Sequence, residues 1–308
     1  MQNVRCLRSV VCLLAVSLLG CQQSERSSVG YFVPGQLVAE APIVTDGPDA
    51  AWPILTTMIQ GHTIPLVLDL GSAGNALTRT MIEDSAITLT SGAVLDSLTL
   101  GTTIQHHVLV DLVDRKSADG AALGRLGTPV LSQYDWVIDG PAHRVRLYAT
   151  QPDPPTVRSA WFPPGITWAD CTPIQVDPDS GKRVLFSLRA NGHAIHSMFD
   201  SGSGSTNINL AAAADMGLSL LSPNVQATNE LYYIGENRVH WKATGVTLMV
   251  GTHYLTVPQI NIFEHLPHET SPFDAELSLG LNALTDRLFF VSYSSGQVCF
   301  SQPIRVGI

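Results

Sequence analysis

Charge is scarce in this chain. Only 14% of its 308 residues are Asp, Glu, Lys or Arg, and 17 bases stand against 26 acids, for a net charge of −9. No clustered basic surface is present, which argues against phosphate-backbone binding and a nucleic-acid partner. Phosphate loops, dinucleotide fingerprints and Gly-x-Ser-x-Gly elbows are missing too, and no cysteine sits in a catalytic context. Long helical periods are few, while short β-rich runs broken by Gly, Pro and Asn fill most of the chain, which reads as all-β with minor helix. Ten histidines form no ligand pattern. Pro267 separates His265 from His268, His106 and His107 would point to opposite faces of a strand, and His62 and His193 occupy equivalent turns. No metal and no cofactor are read from the sequence.

What the chain does have is a repeat. Asp69-Leu70-Gly71-Ser72 and Asp200-Ser201-Gly202-Ser203 each follow an apolar run. Each is preceded by the same turn, Gln60-Gly61-His62 and Asn191-Gly192-His193, with eight positions from turn glycine to aspartate in both cases. Downstream, Leu126-Gly127 matches Leu279-Gly280, and counting on pairs Leu131 with Leu284, Ile138 with Val291 and Val145 with Val298 without a gap. The aspartates lie 131 positions apart, too far for a solenoid unit, so the repeat is a duplicated domain.

Duplicated aspartates suggest one site built from two halves. Two carboxyl groups held about 3 Å apart cannot both ionise cheaply, so one keeps its proton. The charged one can take a proton from a water between them, and the neutral one can donate to a substrate carbonyl. Such a pair titrates as a unit and can hydrolyse an amide without a metal or a covalent intermediate. A glycine beside each aspartate permits close backbone approach.

These residues resemble the aspartic proteases of the retropepsin-like and pepsin-like group, whose motif is Asp-Thr/Ser-Gly-Thr/Ser after an apolar strand, once per lobe, with a later apolar-apolar-Gly segment packed beneath. The resemblance covers residues 50–150 and 170–303. It implies two closed β-barrel lobes with pseudo-two-fold symmetry, short helices and a peptide cleft between them, in a chain that works as a monomer. It makes Asp69 and Asp200 the catalytic dyad of an aspartic endopeptidase. Gly71 and Gly202 would shape the two loops, and Ser72 and Ser203 would hydrogen-bond the carboxylates. Two departures stand out. Leu70 replaces the Thr or Ser whose hydroxyl grips the opposite lobe, a part that Ser201 can still play. Arg125 and Ser278 are polar where the family has apolar residues. The alternatives are a non-catalytic peptide-binding homologue, suggested by Leu70, and a carboxylate-pair glycosidase, which would need carboxyl groups about 5–9.5 Å apart.

The remaining organisation follows from the same comparison. Residues 37–150 read as the first lobe, 151–164, with five prolines, as a linker, and 165–308 as the second lobe. Hairpins are expected at 56–68 and 183–199, and helices at 210–217 and, more weakly, 76–84. Gly71 to Gly127 spans 56 positions and Gly202 to Gly280 spans 78. The excess is assigned to a substrate-covering flap at 231–246 carrying Tyr232 and Tyr233, with ordinary core packing as the other reading of these rings. In the first lobe, 88–99 looks like a stub of the same feature.

At the N-terminus, Arg5 and Arg8 precede the apolar stretch 10–19, too short to span a bilayer. Leu18-Leu19-Gly20-Cys21 resembles a bacterial lipobox, which makes 1–20 a signal peptide, Cys21 the lipidated residue and 21–36 a tether. Gln22 favours the outer membrane. Of the five cysteines, Cys6 and Cys12 leave with the signal. Cys171 and Cys299 remain as a candidate disulfide, with two separate thiols as the alternative.

Overall fold

The computed structural model of the chain describes residues 35–45, 51–90, 93–114, 124–150, 166, 169–176, 182–228, 239–266 and 275–304. The signal peptide, Cys21, most of the tether, the linker 151–164 and the tyrosines Tyr232 and Tyr233 lie outside these residues. Among the described residues, 21 strands stand against three short α-helices and one 3₁₀ turn.

Each lobe contains a tight hairpin leading to its aspartate. Strand Ala51–Ile59 pairs with His62–Leu68, and Val184–Ala190 pairs with His193–Phe199. Both turns need two residues at positive φ, and both have them: Gln60 and Gly61 at 51° and 85°, Asn191 and Gly192 at 48° and 86°. That backbone matches the twist of the flanking strands and favours Asn-Gly.

The second lobe closes into a six-stranded barrel. His193–Phe199 pairs in parallel with Leu277–Leu279, which pairs with Thr206–Asn209, then His253–Phe263, then Trp241–Val250. The ring is completed where Arg189 meets Met249. The first lobe repeats this order through Gly124–Leu126, Ala76–Thr78 and Val94–Leu100. Its counterpart of the long strand His253–Phe263 is broken at Val110 into Thr103–Leu109 and Asp111–Val113.

The helices also correspond. Thr78 caps Arg79–Asp84 by accepting from the Met81 N–H, and Asn209 caps Leu210–Asp215 by accepting from the Ala212 N–H. The helix expected at 76–84 therefore starts three residues later, because Ala76–Thr78 is held as a strand against Asp111–Val113.

A six-stranded sheet joins the lobes, in the order Ala169–Pro173, Gln297–Ser301, Leu288–Ser292, Tyr134–Asp139, Arg144–Ala149, Leu37–Thr45. At its centre Val137 pairs with Phe290, Trp136 with Val291 and Ile138 with Phe289. By the spacing of the repeat, Val137 and Phe290 are equivalent residues, so the molecular two-fold runs through this pair. Alternation then sorts the sheet. Val137, Leu288 and Phe290 pack with Cys171 and Cys299 on one face, and Trp136, Ile138, Phe289 and Val291 join the main core on the other. That main core contains residues of both lobes, and this fixes the two halves against each other.

Candidate active site

The two aspartate loops are set by two crossings. The Asp69 N–H donates to the Leu126 carbonyl at 2.9 Å, and the Asp200 N–H donates to the Leu279 carbonyl at 3.0 Å. One residue further on, glycine is obligatory. A Cβ on Gly127 would lie 2.3 Å from the Gly74 oxygen, and one on Gly280 would lie 2.2 Å from the Ser205 oxygen. The recurrent Leu-Gly is thus the point where one strand passes beneath the loop of its own lobe.

The loops meet across the two-fold. A Cβ on Gly71 would fall 2.5 Å from an Asp200 carboxylate oxygen, and one on Gly202 would fall 2.5 Å from the Asp69 carboxylate carbon. Each glycine therefore makes room for the aspartate of the other lobe. The two carboxyl groups are thereby brought close enough for the charge of one to act on the other. Each is further held by its own loop, Asp69 by the Gly71 N–H at 2.9 Å and Asp200 by the Gly202 N–H at 3.0 Å. Both are enclosed by protein yet keep contact with solvent.

This environment favours one proton between them. Burial raises Asp69 above the usual aspartate range, opposed first by the positive charge of Arg125 and then by the Gly71 N–H. Burial first, and then the negative charge of Asp69, push Asp200 up to about 8.

No protein-family model matches the chain, and no curated protein sequence does either. Solved structures do: 409 chains match. Among them is the aspartic proteinase from Irpex lacteus, at a TM-score of 0.52 and 12% identity over 86% of this chain and 97% of that one. The fold is that of an aspartic protease.

Within this aspartic-protease fold the grip between lobes is one-sided. The Ser201 hydroxyl donates to the Leu68 carbonyl at 2.8 Å and accepts from the Leu70 N–H at 2.9 Å, crossing from the second loop to the first. Leu70 has no hydroxyl to return the contact and is fully buried in the core. It contributes apolar burial where Ser201 contributes two hydrogen bonds.

The expected contact of the Ser72 and Ser203 hydroxyls with the carboxylates is replaced. The Ser72 hydroxyl donates to the Gly74 carbonyl and that of Ser203 to the Ser205 carbonyl, each at 2.8 Å. A hydroxyl has one proton, and here it braces the loop. The Ser72 and Ser203 backbone N–H groups donate to the main-chain carbonyls of Asp69 and Asp200, each at 3.3 Å.

Two residues beside the dyad were visible in the sequence only as exceptions. Arg125 is in register with Val67, and Ser278 with Met198, each two residues before an aspartate of the pair. The Ser278 hydroxyl reaches Asp200 at 3.4 Å. Their polarity inside an otherwise apolar strand was the signal that they face the site.

Elsewhere, Cys171 and Cys299 are directly opposed in the central sheet and form a disulfide. In the second lobe Val225–Ala227 pairs with the start of Trp241–Val250, with Ala227 opposite Trp241. The expected flap at 231–246, with Tyr232 and Tyr233, lies largely outside the described residues. The corresponding stretch of the first lobe is a single bridge from Thr90 to Val94.

Proposed function

We propose that this chain is an aspartic endopeptidase in which Asp69 and Asp200 activate a water against a peptide carbonyl. The observation that carries the reading is the crossed packing of Gly71 on Asp200 and Gly202 on Asp69, which brings one carboxyl from each lobe to the same place. The charged member takes the water proton and the neutral member donates to the carbonyl oxygen. The crossed packing, with each glycine seated on the opposite aspartate, supports this reading over a glycosidase pair, which needs carboxyl groups about 5–9.5 Å apart.

The substrate is a peptide bound between the lobes, and residues 231–246, with Tyr232 and Tyr233, are the segment assigned to cover it. The mature protein acts as a monomer with no cofactor. It is exported and held on the cell envelope, at the outer membrane, by acyl chains on Cys21.

The test is a peptide library incubated with the purified chain between pH 3 and 9, with product ends read by mass spectrometry. Cleavage at defined positions is expected, with kcat/KM falling as pH rises through about 8, where Asp200 loses its proton. A second reading, a peptide-binding homologue without activity, draws on the one-sided grip at Leu70. Binding of library peptides without cleavage at any pH would favour it.

A further inference from the structure

Arg125 and Ser278 occupy one position of the repeat, and the two-fold places them on opposite sides of the dyad. Strand Gly124–Leu126 runs parallel to His62–Leu68 with Arg125 against Val67. Strand Leu277–Leu279 runs parallel to His193–Phe199 with Ser278 against Met198. From that position Ser278 touches Asp200, so the equivalent side chain starts beside Asp69.

Chemically the two are unlike. Serine offers a hydroxyl. Arginine carries a charge that it keeps at any working pH, with its donors in a fixed fork. Arg125 is half-buried, and its Nε is buried with no hydrogen-bond partner among the described residues. A cation in such a place is tolerated when an anion lies nearby, and the anion here is Asp69.

We propose that Arg125 is a positioning residue that makes Asp69 the charged, proton-accepting member of the pair and leaves the shared proton on Asp200. The proposal rests on the hydrolytic reading above and assigns the two roles within it. The charges that bear on the pair are Arg125 and the aspartates themselves, and Ser278 is uncharged. Their effects agree in sign. The guanidinium opposes the rise of Asp69, and the charge retained on Asp69 drives Asp200 further up.

The experiment is a pH titration of the full mature chain with ¹³C-labelled aspartate carboxyls, followed by NMR, with Asp69 and Asp200 assigned from their Asn variants. In the unsubstituted protein, Asp69 is expected to report a carboxylate over a pH range in which Asp200 still reports an acid. Arg125→Leu moves the Asp69 midpoint to higher pH, Arg125→Lys moves it little, and Ser278→Ala leaves it in place. Arg125→Gln serves the same purpose as the leucine variant should that one fail to fold. In a cleavage assay, Arg125→Leu lowers kcat/KM on the acidic limb about tenfold and spares the middle of the pH range. An unmoved Asp69 midpoint in the leucine or glutamine variant, or a proton residing on Asp69 in the unsubstituted protein, would overturn the assignment. The NMR readout needs no turnover, so a protein that cleaves nothing counts against the hydrolytic reading and leaves this test intact.

Discussion

The two lobes share a backbone and differ in nearly every part that supports it. At one position of the central sheet the second lobe has the Cys171–Cys299 disulfide, and the equivalent pair in the first lobe is Glu40 opposite Arg146. Beside the aspartates the second lobe has Ser201 and Ser278 where the first has Leu70 and Arg125. The second pairs Val225–Ala227 with the start of Trp241–Val250 where the first has a single bridge from Thr90 to Val94. What has not diverged is what close approach demands: Gly71 with Gly202, and Gly127 with Gly280, where any Cβ would strike backbone or a carboxylate. Positions constrained by sterics have stayed paired, and positions constrained only by energy have found different solutions.

That contrast can be broken or sharpened by removing one solution at a time. The largest effect on stability is expected from the disulfide, which closes a separation of 128 residues. Cys171→Ala with Cys299→Ala costs about 2–5 kcal/mol. It also exposes amides of the second lobe in hydrogen exchange more than those of the first. Uniform exposure of both lobes would mean that the sheet transmits the loss and the lobes are not separately braced.

Next comes the single grip. Ser201→Ala leaves the Leu68 carbonyl and the Leu70 N–H buried without their partner, a loss of about 2 kcal/mol in denaturant unfolding. A loss below about 0.5 kcal/mol would show that the contact is incidental and that both lobes do without it.

The smallest effect belongs to the ion pair. Arg146 donates to Glu40 at 2.7 Å, but both side chains are about a third exposed, so Glu40→Ala costs under about 1 kcal/mol. The hydrogen bond from Arg146, foremost, and then Arg144 hold the Glu40 carboxyl below the usual glutamate range. Its contribution is therefore present at neutral pH and lost as pH falls below that range. A thermal-unfolding series from pH 3 to 7 should show the variant and the unsubstituted protein converging at the acid end.

Much of this was legible in the residues. The paired Asp-x-Gly-Ser loops, the turn glycines and the Leu-Gly crossings could be read because each reflects a local steric demand that only one residue type meets. The candidate disulfide could be read from a count of cysteines, though its placement against Glu40 and Arg146 needed the register of the sheet. The hydroxyls of Ser72 and Ser203, expected on the carboxylates, donate within their own loops. A hydroxyl beside a carboxylate in sequence does not reveal that a nearer carbonyl, Gly74 or Ser205, holds its only proton. Arg125 and Ser278 showed as anomalies of polarity, and only the parallel pairing of their strands with His62–Leu68 and His193–Phe199 brings them to the aspartates.

The central claim is that two carboxyl groups, one from each lobe, perform one reaction together. Measuring peptide-library cleavage by Asp69→Asn and by Asp200→Asn tests it most directly. Each substitution alone is expected to lower kcat by about 10²–10⁴-fold, and the double variant is expected to be hardly worse than either single one. Cleavage that persists at the unsubstituted rate in Asp69→Asn would contradict the account, because the catalyst would then need only one half of the molecule.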